Sequence, residues 1–317
     1  MSGEPRQTAM REPRLIALDW GTTMLRGFLL GEDGVILESR ALPFGIMQLP
    51  EGGFPAAFDR VAGDWRRQFP HLEAIAAGMV GSAQGWVQAP YRSCPTGPEE
   101  LAAGLVRTPD GALHIVPGVM QSGSAPDVMR GEETQIAGAL ALMPALQRSA
   151  WLVMPGTHSK WVRIEGGRIQ GFTTYMTGEL FATLSAHSIL GRPAAEAGAP
   201  DPASDAFTRG VAAVRAESRG LMQLLFTVRS LVLTGQLGAA ESLDYLSGLL
   251  IGEELRCALK LGTRPVLIGE PALCLRYQQA FGQFGLSGLD VVANGAAFGL
   301  WRVAVQAGLT HKEGARP

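Results

Sequence analysis

The chain has 317 residues, 46% hydrophobic and 18% charged, with 27 Lys and Arg against 29 Asp and Glu for a formal charge of −2. At roughly 100–200 residues per domain this length predicts two domains, each large enough to bury its own core. The balanced charge excludes a polyanion-binding surface, so no nucleic-acid partner is expected, and no apolar run reaches the roughly 18 residues of a membrane span. Cys94, Cys257 and Cys274 lack CxxC spacing and fit a reducing compartment. The polar start is unlike a signal peptide, so a cytoplasmic protein without membrane partners is expected, with residues up to Pro13 as a loose tail.

Leu15 to Trp20 is a short apolar run holding one acid and predicts a buried strand with Asp19 near its end. Gly21-Thr22-Thr23 predicts a tight turn, Leu25 to Leu30 a second strand, Gly31 to Gly34 another turn and Val35 to Ala41 a third strand. A helix is expected at Phe54 to Gln68, then an apolar segment Ala74 to Val80, the small-residue loop Gly81 to Gly85 and a strand at Leu113 to Val116. Gln121 to Asp127 reads as a loop. Glu132 to Leu142 reads as a helix with acids in its first turn, where the helix dipole favours them, and Pro144 closes it. From Trp151 the opening pattern returns: a strand to Met154, the turn Pro155-Gly156-Thr157, a strand around Lys160 to Ile164, the turn Gly166-Gly167 and a strand from Arg168 to Thr174. Aligning Gly21-Thr22 with Gly156-Thr157 predicts two facing copies of one βββ unit. Helical stretches at Asp205 to Phe226, Ser242 to Leu261, Leu273 to Phe284 and Gly295 to Ala307, with short strands at Pro265 to Ile268 and Asp290 to Val292, complete an α/β chain.

Lysine occurs only at positions 160, 260 and 312, never after glycine, which removes the P-loop. No two glycines lie two apart, which removes G-x-G nucleotide loops, and the five histidines show no HExxH spacing. Phosphate must be held another way. A Gly-Thr turn after a buried strand offers backbone N–H groups and a hydroxyl at the strand's carboxyl end, where they can cradle phosphate oxygens. Two such turns would grip a nucleotide triphosphate from both sides, with Asp19 holding Mg²⁺ through its water shell. Taken singly, D-x-G-T-T is equally an ordinary hairpin turn; the second copy favours the phosphate reading.

In this order the two copies resemble the phosphate-1 and phosphate-2 motifs of the sugar kinase/Hsp70/actin superfamily. LIALDWGTTMLRGFLL, AAGMVGSAQGW, VMRGEETQIAGA, VMPGTHSKWV and MTGELF resemble successive signatures of the 2-dehydro-3-deoxygalactonokinase family, and the likeness continues through Tyr245 to Gly252 and Arg276 to Phe281. It covers nearly the whole chain. The resemblance implies an α/β, two-lobed actin-like ATPase (ribonuclease H-like) fold with duplicated βββαβαβα units and a cleft between lobes. The N-terminal lobe would span 14–145, completed by the C-terminal helix 296–310, and the C-terminal lobe 149–295. It implies ATP and Mg²⁺ as cofactors, and transfer of the γ-phosphoryl to the 6-hydroxyl of 2-dehydro-3-deoxy-D-galactonate, a small keto-deoxy sugar acid of galactonate catabolism. The lobes would close over both ligands, and a homodimer is compatible with this scheme.

The same resemblance gives Gly21, Thr22, Thr23, Gly156 and Thr157 to the phosphates and Asp19 to the metal. Arg26 follows at the spacing of a superfamily cation that reaches phosphate or substrate; otherwise it is a surface strand cation. His158 and Lys160 would offset phosphate charge, although strand alternation can send one of them to solvent. VLIGEPA, residues 266–272, resembles the adenosine motif, with Gly269 leaving room for base or ribose and Glu270-Pro271 departing from the more glycine-rich form. Ser82, Gln84 and Trp86, with Thr177 and Glu179, are the acceptor-site candidates; Trp86 and His187 read more readily as packing residues. The superfamily base is an Asp at the start of the helix preceding the second phosphate turn. Here Glu133 is the first choice and Glu132 the alternative, while both acids would also simply suit a helix N-terminus. The competing functions are a kinase for another aldonate or sugar, or a nucleotide-dependent conformational switch. The likeness around Gly81 to Trp86 to a sugar loop argues against the switch.

Overall fold

The computed structural model of the chain describes residues 12–197, 205–216, 219–259, 263–293 and 295–310. Of the expected tail only Glu12 and Pro13 fall within them. In chain order the elements are β1 Leu15–Trp20, β2 Leu25–Leu30, β3 Ile36–Leu42, α1 Gly53–Gln68, β4 Ala74–Gly78, β5 Tyr91–Ser93, α2 Pro98–Ala102, β6 Val106–Arg107, β7 His114–Ile115, β8 Gly118–Gln121, β9 Asp127–Met129 and α3 Glu132–Leu142. They continue with β10 Ser149–Met154, β11 Ser159–Glu165, β12 Arg168–Tyr175, α4 Thr177–His187, α5 Arg192–Ala195, α6 Ala206–Ala216, α7 Leu221–Leu225, α8 Thr227–Leu233, α9 Ser242–Ala258, β13 Val266–Ile268, α10 Pro271–Gln283, β14 Val291–Val292 and α11 Ala296–Gln306. The chain divides into two units. The first holds the chain through Ser149, the segment Glu165–Gly171 and α11; the second holds Ala150–Ile164 and Phe172–Ala293.

In the first unit the main sheet has the order β3-β2-β1-β4-β7-β6. The β1-β2-β3 meander is antiparallel, β4 joins β1 in parallel, and Asp19 stands opposite Arg26 on one side and Ala77 on the other. Helix α1 lies on this sheet because Ala57, Phe58, Val61, Ala62 and Trp65 recur at helical spacing and are buried. Gly27 lets it lie close, since a Cβ there would sit 2.7 Å from Val61 Cγ2. Helix α11 packs on α3 along a seam without side chains: a Cβ on Gly299 would fall on the Thr134 carbonyl, and one on Gly138 on the Gly295 carbonyl. The hairpin β8-β9 with β5 forms a separate small sheet, and the loop expected at Gln121 to Asp127 is the connection of that hairpin, with only its two end residues in the strands.

The second unit's sheet has the order β12-β11-β10-β13-β14. Numbered within each unit, both sheets begin third, second, first, fourth, the first continuing with β7 and β6 and the second with β14, so the duplication expected from the two Gly-Thr turns is present in the topology of these four strands. Trp161, Phe207, Ile251, Leu255, Tyr277 and Phe281 form its core, and each fully buried large apolar side chain contributes about 1.5–3 kcal/mol. The helix expected over Asp205 to Phe226 is divided into α6 and α7, because Gly220 is extended (ψ 159°) and starts a new helix at Leu221; residues 217 and 218 lie outside the described part. The stretch expected to reach Leu261 ends as helix at Ala258, residues 260–262 again lying outside. None of the described helices is long and apolar enough to cross a membrane.

Candidate active site

In open α/β sheets ligands gather beyond the carboxyl ends of the strands, and in the first unit three candidate segments meet there. Asp19, near the end of β1, receives Arg26 Nη1 at 3.2 Å, so the carboxylate and the cation picked out from the sequence form one ion pair. In the following turn the Gly21 N–H donates to Met24 O at 2.9 Å, while Gly45, Ile46 and Met47 donate to the carbonyls of Thr23, Gly21 and Thr22. This pins the turn from behind and leaves Thr22 and Thr23 exposed. The second segment begins at Gly78, whose φ of 95° and close approach to Trp20 O admit only glycine without strain. Beyond it Ser82 is half-buried with its Oγ enclosed and without a hydrogen-bond partner, Gln84 is exposed, and Trp86 packs on Trp20, Phe54 and Phe58 with ring centroids 6.0–6.3 Å apart. Trp86 is thereby a packing residue that holds the loop.

The third segment is the start of α3. Gly131, with φ 107°, comes within 3.3 Å of Gly78 Cα, counted from the Cβ position, which sets the helix start against the glycine loop. Its N–H donates to both Glu133 oxygens at 2.9 and 2.7 Å, and Thr134 Oγ1 donates to its carbonyl at 2.7 Å. Glu133 is fully buried; burial first, then the neighbouring Glu132 charge, pushes its carboxyl up to about 8. Glu132 is half-buried and accepts the Arg130 N–H at 3.0 Å. Arg130 donates to Ala89 O at 2.7 Å and lies over the Tyr91 ring, while its Nε and Nη1 are enclosed without partners. Of the two acids, Glu132 is the one with surface to offer a ligand.

In the second unit the turn Gly156-Thr157-His158 follows β10. Thr157 and His158 are exposed, and a Cβ on Gly156 would meet nothing within 4 Å, so the turn has open space in front of it. Lys160 is buried, its Nζ donating to the His158 carbonyl at 2.9 Å, while His158 lies in the turn before β11 and is exposed. Alternation does not separate them, because residues two apart share a strand face and Ser159, Lys160, Trp161 and Val162 are all buried. The start of α4 is pressed onto this turn: the Glu179 N–H donates to Thr157 O at 3.0 Å, the Glu179 carboxylate pairs with His158, and a Cβ on Gly178 would come within 2.5 Å of Gly156 O. Gly269 closes the arrangement at the end of β13, its Cβ position 3.6 Å from Pro155 O. The departure at Glu270-Pro271 has a local cause. Glu270 caps α10 by accepting the Leu273 N–H at 3.1 Å, and Pro271 opens the helix.

The sequence reading missed Glu254, on α9. This buried carboxylate accepts Ser159 Oγ at 2.7 Å, Trp161 Nε1 at 2.8 Å, Tyr277 Oη at 2.6 Å and Thr177 Oγ1. Burial raises its carboxyl above the usual range, opposed by these four donors. The motif strings contain Ser159, Trp161, Thr177 and Tyr277, but only the fold brings them to one acid. Among the described residues, no group of three or more His, Cys, Asp or Glu side chains is placed to hold a metal directly.

A family model for 2-keto-3-deoxy-galactonokinase matches residues 19–303. The chain is 40% identical over 297 residues to the 2-dehydro-3-deoxygalactonokinase of Escherichia coli (strain K12), covering 90% of this chain and 94% of that one. It is also 40% identical over 278 residues to a Rhizobium meliloti (strain 1021) protein named probable 2-dehydro-3-deoxygalactonokinase DgoK1, covering 86% and 90%. The crystal structure of a 2-dehydro-3-deoxygalactonokinase candidate from Sinorhizobium meliloti superposes with a TM-score of 0.82 at 36% identity, over 92% of this chain and 98% of that one. Component A of (R)-2-hydroxyglutaryl-CoA dehydratase from Acidaminococcus fermentans shares the fold alone, at 12% identity and a TM-score of 0.50, over 95% of this chain and all of that one. The fold is the actin-like ATPase fold implied by the sequence resemblance, and the chain belongs to the 2-keto-3-deoxy-galactonokinase family.

Proposed function

We propose that the chain is a carbohydrate kinase that transfers the γ-phosphoryl of ATP to the 6-hydroxyl of 2-dehydro-3-deoxy-D-galactonate. The observation that carries this is the repeated Gly-Thr turn, which stands between the first and second strands of both sheets, in a chain whose curated relatives are named for this activity over about nine-tenths of its length. The residues fit a nucleotide: the Gly156 turn has open space before it, exposed hydroxyls lie on Thr22, Thr23 and Thr157, and Gly269 abuts Pro155. Gly21, Thr22, Thr23, Gly156 and Thr157 hold phosphates, Arg26 adds positive charge, His158 offers a ring nitrogen as a hydrogen-bond donor, and buried Lys160 shapes the turn through the His158 carbonyl. Asp19 is the acid that would hold Mg²⁺ through water, and the ion's contribution when bound is to neutralise charge on the transferring phosphoryl.

Ser82 and Gln84, with Glu179, bind the acceptor, whereas Thr177 is buried with its hydroxyl on Glu254 and sets the start of the helix that carries Glu179. We assign the base to Glu132, the alternative at the sequence level, because it is half-buried while Glu133 is enclosed. Glu132 takes the proton of the acceptor hydroxyl as that oxygen attacks phosphorus. Glu133 holds the Gly131 N–H and so fixes the turn from which Glu132 projects. Positioning and charge neutralisation then supply most of the rate.

The test is ADP release over a panel of 2-keto-3-deoxy aldonates and free sugars, with the phosphorylated carbon read by NMR. ADP release that depends on 2-dehydro-3-deoxy-D-galactonate, with phosphate on carbon 6, is expected. Preference for another aldonate would redirect the acceptor, and equal ADP release with and without every acceptor would overturn the kinase reading.

A further inference from the structure

Glu254 lies outside every motif used above, yet it is the buried acid to which the second unit's functional segments are tied. It is 2% exposed. Each carboxylate oxygen accepts two donors: Oε1 takes Ser159 Oγ and Trp161 Nε1, and Oε2 takes Tyr277 Oη and Thr177 Oγ1. A carboxylate has about four lone-pair sites, and here all are used. Such a group is costly to bury and is retained only if its partners satisfy it completely.

Two of these donors lie where geometry matters for chemistry. Ser159 begins β11, two residues after Thr157 of the turn, and Thr177 begins α4, directly before Gly178 and Glu179, which contact the turn's Gly156, Thr157 and His158. The other two, Trp161 and Tyr277, join the same carboxylate to the core of the unit. We propose that Glu254 is a positioning residue for phosphoryl transfer, which locks the Gly156–His158 turn and the start of α4 into one arrangement from beneath. This rests on the reading of that turn as a phosphate-holding element. Glutamine at 254 keeps the volume but removes the charge and replaces one oxygen with an NH₂, which opposes the donor-only Trp161 Nε1–H on the Oε1 side and on the Oε2 side forces the Thr177 and Tyr277 hydroxyls to turn from donating to accepting. The core side of the network provides a control, because Tyr277→Phe removes a donor to the same oxygen and touches neither the turn nor α4.

The experiment compares wild type, Glu254→Gln, Tyr277→Phe and the pair Ser159→Ala with Thr177→Val by steady-state kinetics and by amide hydrogen exchange over 156–160 and 177–180. Glu254→Gln and the pair should each speed exchange in both segments and lower kcat on the order of 10-fold to 10²-fold, the scale of small misplacements of reacting groups. Combined, their effects on kcat should be far from additive. Tyr277→Phe should lower Tm while leaving exchange there and kcat close to wild type. If Glu254→Gln fails to fold, the pair set against Tyr277→Phe decides the same question. Unchanged exchange in the two segments, unchanged kcat, or a Tyr277→Phe that reproduces every effect would overturn the inference. A wild type without turnover on any acceptor would instead overturn the kinase reading, and the exchange contrast would still decide whether Glu254 orders the turn.

Discussion

Replacing Glu133 by glutamine tests the electrostatics at the start of α3. Burial and the Glu132 charge raise the Glu133 carboxyl from 4.5 to about 8. An acid raised on folding holds its proton more tightly in the folded chain than in the unfolded one. Between those two values the folded state therefore carries the extra proton, and stability falls as pH rises. At 1.36 kcal/mol per pH unit the full loss above pH 8 is about 5 kcal/mol. Between about pH 6 and about pH 9 the portion lost is roughly 2–3 kcal/mol. Glutamine has the shape of the protonated carboxyl, keeps an oxygen for the Gly131 N–H and does not titrate. Urea unfolding of wild type and Glu133→Gln at the two pH values isolates this group, since the remaining titrations cancel in the difference. Wild type should lose about 2–3 kcal/mol more than the variant on going to the higher pH. Identical pH dependence of the two proteins would show that Glu133 ionises as an ordinary carboxyl and would refute the reasoning.

Glu132→Gln should bind ATP and acceptor but lose turnover by roughly 10²–10⁴, the range for general-base removal, while Glu133→Gln keeps most of its activity; the opposite pattern would return the base to Glu133. Asp19→Asn should stay folded and lose turnover severely, because the amide lacks the charge that orients the metal. Near-normal rates at saturating Mg²⁺ would remove Asp19 from the site. Gly299→Ala should destabilise the first unit even though alanine favours helix by about 1 kcal/mol: its Cβ would fall on the Thr134 carbonyl, and overpacking of about 1–3 kcal/mol or more outweighs the propensity gain. A denaturation midpoint equal to or above wild type would contradict the glycine seam between α3 and α11.

What the sequence determined by itself is what depends on neighbours along the chain. The period in Gly53–Gln68, the acids and Pro144 that bound Glu132–Leu142, and the strand–Gly-Thr–strand pattern at Asp19 and again at Gly156 are short-range signals. They reported the elements, the duplication and, through the motif strings, the family. The three-residue strands β5 and β9 are too short to show a period, and α4 carries no apolar stripe because Thr177 is its one buried residue, so both escaped notice. Only tertiary structure decided that Glu133 is enclosed while Glu132 keeps surface, since adjacent residues on a helix face different neighbours. Only it gathered Ser159, Trp161, Thr177 and Tyr277, from 23 to 95 residues away in the chain, onto Glu254. A buried carboxylate looks locally like any other helical glutamate; its partners are supplied by packing between elements distant in sequence, and that packing is a property of the whole fold.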